Sequence, residues 1–202
     1  MKSVIIATKN QGKAKEFQQM FGRYGVEVKT LLDYPDFPDI EETGSTFEEN
    51  AILKAEALSK ELHVPVIADD SGLEIDSLEG RPGVYSARYA GEEKNDEANL
   101  EKVLSELNGL SPAERTARFK CVLAVALPGK NTETFFGSCE GRILDEKRGK
   151  NGFGYDPIFF VEEYGQTMAE LPAETKNKIS HRAEALKKLQ ARLENLMKGE
   201  ER

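Results

Sequence analysis

Two apolar runs of four residues, Val4-Ile5-Ile6-Ala7 and Pro65-Val66-Ile67-Ala68, each end abruptly in polar residues. Runs this short read as buried strands, and helical spacing follows the first of them. Phe17, Met20, Phe21 and Tyr24 recur along Lys13 to Tyr24, with Gly25 placed as a C-terminal cap. Val26 to Leu31 then alternates as a second strand, and Thr46-Phe47-Glu48-Glu49 has the form of a capping box opening a helix to about Leu62. The second apolar run stops at Asp69-Asp70-Ser71-Gly72, and Leu73 and Ile75 suggest a brief return to extended backbone. Asn95 to Leu107 reads as a helix closed by Asn108-Gly109. Ala117 to Leu127 and a strand around Thr132 to Gly137 form a hairpin, and Pro157 to Val161 is another buried strand. Ser180 caps a last helix through Met197, with Ala185, Leu186, Leu189, Leu193 and Leu196 on one face. Helices alternating with strands, plus a hairpin, predict an α/β fold with a mixed sheet. No linker or repeat divides the chain, so residues 1–198 are expected to form one domain, with residues 199–202 a frayed tail.

Composition narrows the chemistry. The formal charge is −8, against the basic face that a binder of long nucleic acid presents. A small nucleotide pocket needs only a few local cations. The only cysteines are Cys121 and Cys139, too few for a disulfide framework, and they read as free thiols in a reducing compartment. With His63 and His181 the only histidines, a Cys/His zinc cluster is excluded. No apolar run approaches a membrane span, and the opening residues lack a signal h-region. The expected location is the cytoplasm.

Five segments could carry chemistry. Thr8-Lys9-Asn10-Gln11-Gly12-Lys13 joins a strand to a helix, where free N–H groups and the positive helix end suit a phosphate. It is not a Walker loop, and its bland alternative is a capped turn with a solvated lysine. Asp69-Asp70-Ser71-Gly72 ends an apolar strand, where α/β sheets collect ligands, and its hard oxygens suit Mg²⁺. Neighbouring side chains on extended backbone point oppositely, so at most one of the two acids faces a given site. Glu41-Glu42-Thr43-Gly44 reads by itself as a solvated acidic loop, yet a metal site needs more than one carboxylate, and Lys54 follows one helix later. Gly152-Phe153-Gly154-Tyr155-Asp156-Pro157 offers close backbone approach and two aromatic faces for a base, or else a tight turn whose rings enter the core. Ser180-His181-Arg182, with Lys176 just before, sets cations at a helix N-terminus, which the macrodipole disfavours unless an acceptor is present. No nucleophile elbow occurs. Phosphate grip, carboxylate-bound metal and base-facing donors together describe a nucleotide hydrolase.

These segments, with Pro82-Gly83-Val84-Tyr85-Ser86-Ala87-Arg88 between them, resemble the inosine/xanthosine triphosphate pyrophosphatase family from about Val4 to Leu189, and its bacterial members most closely. Lys9 stands where that family often has glycine. The resemblance implies an elongated, two-lobed α/β domain with a central mixed sheet flanked by helices, a homodimer, and Mg²⁺ as cofactor. It implies hydrolysis of deaminated purine nucleoside triphosphates (ITP, dITP, XTP) to monophosphate and pyrophosphate. Carried onto this chain, Asp70 becomes the proton acceptor and a metal ligand, and Glu41 or Glu42 helps to hold the metal. Thr8, Lys9, Asn10, Gln11, Gly12 and Lys13 grip the triphosphate with Lys54 and Ser71 nearby. Phe153, Gly154, Tyr155, Asp156, Lys176, His181 and Arg182 receive the base and ribose. Two rivals are a related enzyme acting on pyrimidine or methylated nucleotides and a non-catalytic nucleotide sensor. A poised base beside a metal speaks against the sensor.

Overall fold

The structure is a computed structural model that describes residues 3–22, 25, 27–34, 36–38 and 40–199. Seven strands form one sheet in the order β2-β1-β3-β4-β5-β6-β7. These are β1 (Ser3–Ile6), β2 (Glu27–Thr30), β3 (Val66–Ile75), β4 (Thr116–Ala126), β5 (Glu133–Ile143), β6 (Phe159–Val161) and β7 (Gln166–Thr167). β1 runs parallel to both β2 and β3, connections that need crossover helices. Two helices supply them, α1 (Gln11–Gly22) and α2 (Phe47–Leu62). The pairs β5/β6 and β6/β7 are antiparallel, so the sheet is mixed as the sequence predicts. The remaining helices are α3 (Asp96–Glu106), α4 (Ala173–Ile179) and α5 (His181–Gly199).

The chain forms two compact units. The first comprises Met1–Asp70, Cys121–Gly137 and Arg182–Arg202. Its core sets Phe17 of α1 and Ala185 and Leu189 of α5 against Val4, Ile6, Ile67 and Leu123 of the sheet. The second comprises Ser71–Lys120 and Ser138–His181. There Leu100, Val103 and Leu107 pack against Leu73, Ile75, Phe119, Ile143 and Phe159. Apolar burial of this kind contributes roughly 25 cal/mol per Å² and is the main force holding each unit together.

Several boundaries differ from expectation. β3 does not stop at Asp69 but continues unbroken to Ile75, because Asp69 and Asp70 each find a cationic partner within the unit and need no turn to solvate them. β5 runs six residues past Gly137, and α4, a polar helix of seven residues, has no counterpart in the apolar pattern. The Thr46 side chain accepts from Glu49 N as a cap should, but the Glu49 carboxylate turns to Ser45 and not to the cap residue. α5 extends to Gly199, two residues beyond Met197. Tyr24, Val26, the side chains of Leu193 and Leu196, and residues 200–202 lie outside the described residues.

Candidate active site

In the turn between β1 and α1, Asn10 Oδ1 accepts from Lys13 N at 3.0 Å, while Thr8 Oγ1 accepts from Asn10 N at 3.1 Å. The two side chains thus fold the turn on itself at the start of α1, and the first N–H groups of a helix have no partner within it. Gln11 and Gly12 open that helix. Lys9 points elsewhere, with its ammonium on the Phe37 carbonyl at 2.9 Å. Lys13 reaches across to the carboxylate of Asp69.

Asp69 is the most enclosed charge in the first unit. Its side chain is fully buried. It is held by Lys13, by Arg182 Nε at 2.9 Å, and by the Cys121 thiol, which donates at 3.1 Å. Arg182 is itself buried and forms a second ion pair with Glu16 of α1. Burial alone would raise the Asp69 pKa, but the Arg182 and Lys13 charges outweigh it and hold the carboxyl well below its ordinary range. Burial, and then the Asp69 charge, push the Cys121 thiol well up, so it stays protonated.

Asp70, the next residue on β3, belongs to a separate cluster. Lys54 of α2 donates to Asp70 Oδ1 at 3.1 Å, to the Asp69 carbonyl at 2.9 Å and to Glu42 Oε1 at 2.7 Å. Three donors meet three acceptors, which fixes the ammonium. Among the described residues Asp70 Oδ2 is buried and has no hydrogen-bond partner. Burial is the first cause that moves the Asp70 pKa upward, partly opposed by Lys54 and Lys13. The Lys54 pKa would fall on burial but is raised by Asp70 and Glu42. Glu42 is placed by the loop leading into α2, where Gly44 N donates to Asn50 Oδ1 at 2.7 Å. A β-carbon on Gly44 would lie 2.7 Å from that same oxygen, so the loop requires glycine there. Glu41, beside it, is exposed, and Ser71 follows Asp70 along β3, half-buried.

The second unit holds the aromatic loop. Asp156 Oδ2 accepts from Phe153 N at 2.9 Å and from Lys176 Nζ at 2.6 Å. Lys176 lies 4.9 Å from the centre of the Phe153 ring, a cation–π contact. Gly152 adopts φ +79°, and a β-carbon there would meet Asp156 Oδ2 at 1.9 Å. Gly154 N donates to Asp96 Oδ2 at 2.9 Å. Tyr155 is buried in the apolar core, and its hydroxyl donates to the Ser86 carbonyl at 2.7 Å, so its ring serves as an anchor while Phe153 remains half-buried. His181 is buried and stacks on Phe119 with centroids 4.9 Å apart.

The structure therefore gathers the sequence candidates into a Lys13–Asp69–Arg182 cluster, a Glu42–Lys54–Asp70 cluster and a Phe153–Asp156–Lys176 cluster. Arg182, expected beside Lys176, belongs by its contacts with the first of these, and the acceptors that its position at a helix start demanded are Asp69 and Glu16. Sequence reasoning gave no site role to Glu16, Cys121, Ser86 or Asp96, although it read Cys121 as a free thiol and included Ser86 in the Pro82–Arg88 block. Glu16 left a trace, as an acid on the buried face of α1 beside Phe17 and Met20.

Comparison with known proteins shows the family. The Ham1 family model matches residues 4–192. The dITP/XTP pyrophosphatase of Geobacillus kaustophilus is 59% identical over 202 residues, covering 100% of this chain and 99% of that protein. The dITP/XTP pyrophosphatase of Bacillus licheniformis is 63% identical over 194 residues, covering 96% and 99%. The structure of the Staphylococcus aureus Ham1 protein superposes with a TM-score of 0.84 at 52% identity, covering 96% of this chain and 99% of that one. With sequence and fold in agreement along almost its whole length, the chain belongs to the Ham1 family.

Proposed function

We infer that the protein hydrolyses deaminated purine nucleoside triphosphates (dITP, XTP and ITP) to the monophosphate and pyrophosphate. Relatives at 59% and 63% identity over nearly full length carry the name dITP/XTP pyrophosphatase. The single structural observation that carries the chemistry is Asp70, whose Oδ1 is fixed by Lys54 and whose Oδ2 has no partner among the described residues. Such an atom is available to a metal or to a water proton.

These residues fit Mg²⁺. Among the described residues no group of three or more His, Cys, Asp and Glu side chains could hold a metal. Mg²⁺ needs only one or two protein carboxylates, keeps waters and joins substrate phosphates, and the unpartnered Asp70 Oδ2 offers such an oxygen. Asp70 would hold it with Glu41 or Glu42; Glu42 shares Lys54 with Asp70. When bound, Mg²⁺ neutralises triphosphate charge and polarises the phosphoryl oxygens. The chain does the rest. The Thr8–Lys13 turn and Lys54 bind the triphosphate, with Ser71 beside them. Asp70, its pKa raised by burial toward the working range, takes a proton from the attacking water. The water oxygen bonds to the α-phosphorus, the bond to the β-phosphate bridge breaks, and pyrophosphate departs.

Ribose and base fall to Phe153 to Asp156, Lys176 and His181, whereas Arg182, grouped with them in the sequence, is held by Asp69 and Glu16. Hypoxanthine and xanthine carry a carbonyl at C6 where adenine carries an amino group. Lys176 offers only donors, so it donates to the carbonyl and leaves adenine mismatched. Asp156 fixes the Lys176 ammonium for this task. The family resemblance also supports a homodimer in the cytoplasm, and no helix among the described residues is long and apolar enough to cross a membrane.

The test is pyrophosphate release from ITP, dITP, XTP, GTP and ATP with Mg²⁺. The deaminated purines should exceed ATP in kcat/KM by orders of magnitude. Equal efficiency on ATP would overturn the base assignment, and release of orthophosphate in place of pyrophosphate would overturn the reaction itself.

A further inference from the structure

The segment Pro82–Arg88, conspicuous in the sequence, has no part in the chemistry above. Its residues Gly83–Arg88 form a 3-10 stretch in which Ser86 is buried. Ser86 Oγ donates to the Gly83 carbonyl at 2.6 Å and accepts from Leu73 N at 2.9 Å. The Ser86 carbonyl accepts the Tyr155 hydroxyl at 2.7 Å. One residue on, the Ala87 carbonyl accepts from Asn99 Nδ2 at 3.0 Å, and Asn99 Oδ1 accepts from Ala90 N at 2.6 Å. Asn99 is a buried residue of α3. Asp96 precedes it by three positions, hence on the same side of that helix, and takes Gly154 N at 2.9 Å.

Consecutive residues of the aromatic loop are thus gripped by two elements that Asn99 ties together. The loop needs such a hold. Gly152 and Gly154 both adopt left-handed backbone, and glycine loses more freedom on ordering than any other residue. Within the loop, Phe153 and Asp156 pair with each other, Phe153 N donating to Asp156 Oδ2 and Asp156 N to the Phe153 carbonyl.

We propose that Asp96 and Ser86 are positioning residues for the base-binding loop, holding Gly154 and Tyr155 so that Phe153 and the Asp156–Lys176 pair keep the geometry that receives the nucleobase. This rests on the assignment of Phe153–Asp156 and Lys176 to the base end. A merely structural role would weaken every ligand together with the fold. A positioning role weakens the base end alone.

Two product-like probes separate these. Inosine monophosphate reports the base end and inorganic pyrophosphate the phosphate end, each as an inhibitor of ITP hydrolysis. Asp96 is exposed, so Asp96→Ala should fold normally. The expected result is a rise of about 3- to 10-fold in the inosine monophosphate Ki and in KM for ITP, the effect of losing one solvent-exposed hydrogen bond of ordinary net strength. The pyrophosphate Ki and kcat should stay within about twofold. Asp96→Asn, which keeps an acceptor oxygen, should restore most of the loss, and Tyr155→Phe should raise the inosine monophosphate Ki more than the pyrophosphate Ki. An unchanged inosine monophosphate Ki in Asp96→Ala would overturn the proposal, as would parallel rises for both probes. Phe153→Ala distinguishes the two failures. If it weakens inosine monophosphate while Asp96→Ala does not, only the positioning role fails. If it has no effect either, the base-end assignment fails and the proposal falls with it.

Discussion

Asp69→Asn removes one charge from the most enclosed ionic cluster in the protein and leaves the side-chain volume unchanged. The cost follows from who is left behind. Lys13 is 16% exposed and can rehydrate, whereas Arg182, with 2% of its side chain exposed, cannot. Arg182 would keep Glu16, and the new amide oxygen could still accept from Nε, so the loss sits at the low end of what breaking a buried ion pair costs, about 3 kcal/mol. For a chain of 202 residues that corresponds to a fall in Tm of roughly 6–12 °C. The pH dependence has a definite sign. Despite burial, Arg182 and Lys13 depress the folded-state pKa of Asp69 far below the unfolded value, so its contribution is complete above about pH 4 and disappears only as pH falls through the folded pKa. Melts followed by circular dichroism should therefore show the same gap between wild type and variant at pH 7 and pH 5. A gap below about 2 °C at pH 7 would mean that the carboxylate does not carry Arg182, and a gap that closes between pH 7 and pH 5 would mean that Asp69 is not held ionised.

Two further substitutions probe the reaction and its base end. Asp70→Asn should lower kcat by about 10²–10⁴ at saturating Mg²⁺ through loss of the proton acceptor, and near-normal turnover would remove Asp70 from that role. Gly152→Ala places a methyl group where Asp156 Oδ2 now lies and imposes φ +79° on alanine, so the Asp156–Lys176 pair should separate. KM for ITP should rise severalfold, checked by steady-state kinetics beside the wild type.

The fold was legible wherever local pattern and tertiary demand agree. Val4 to Ala7 and Thr46 to Leu62 announce themselves by apolar run, cap and period, and the strand-to-helix turn at Thr8–Lys13 follows from them. Local pattern misleads at Asp69-Asp70, because two adjacent acids normally end a strand. Their partners, Arg182 and Lys54, lie 113 and 16 residues away in sequence and leave no mark beside them. α4 is hidden for a related reason. Its buried residues are Lys176 and Asn177, so the burial that stabilises it is polar and carries no apolar period. The second hairpin strand was expected to end around Gly137, whereas β5 runs on to Ile143; a β-carbon on Gly141 would sit 2.4 Å from the Phe160 carbonyl, so glycine there is what lets β6 pair. Residue types singled out Asp70, Lys13 and Lys54, and the structure pairs Lys54 with Asp70 and Lys13 with Asp69. The partition of donors was not legible, since nothing near Arg182 in sequence says that its guanidinium will meet Glu16.

The cluster around Asp69 also fixes when the molecule becomes whole. Lys13, Asp69, Cys121 and Arg182 enter the growing chain in that order, and Arg182 lies in the last of the three segments that make up the first unit. Until that segment leaves the ribosome, a carboxylate destined for complete burial lacks Arg182, and α5 has yet to close the apolar core formed by Val4, Ile6 and Leu123. The strand that bears Asp69 and Asp70 is made long before Arg182, so a nascent chain cannot complete the charge balance of Asp69 until the start of α5 has been translated.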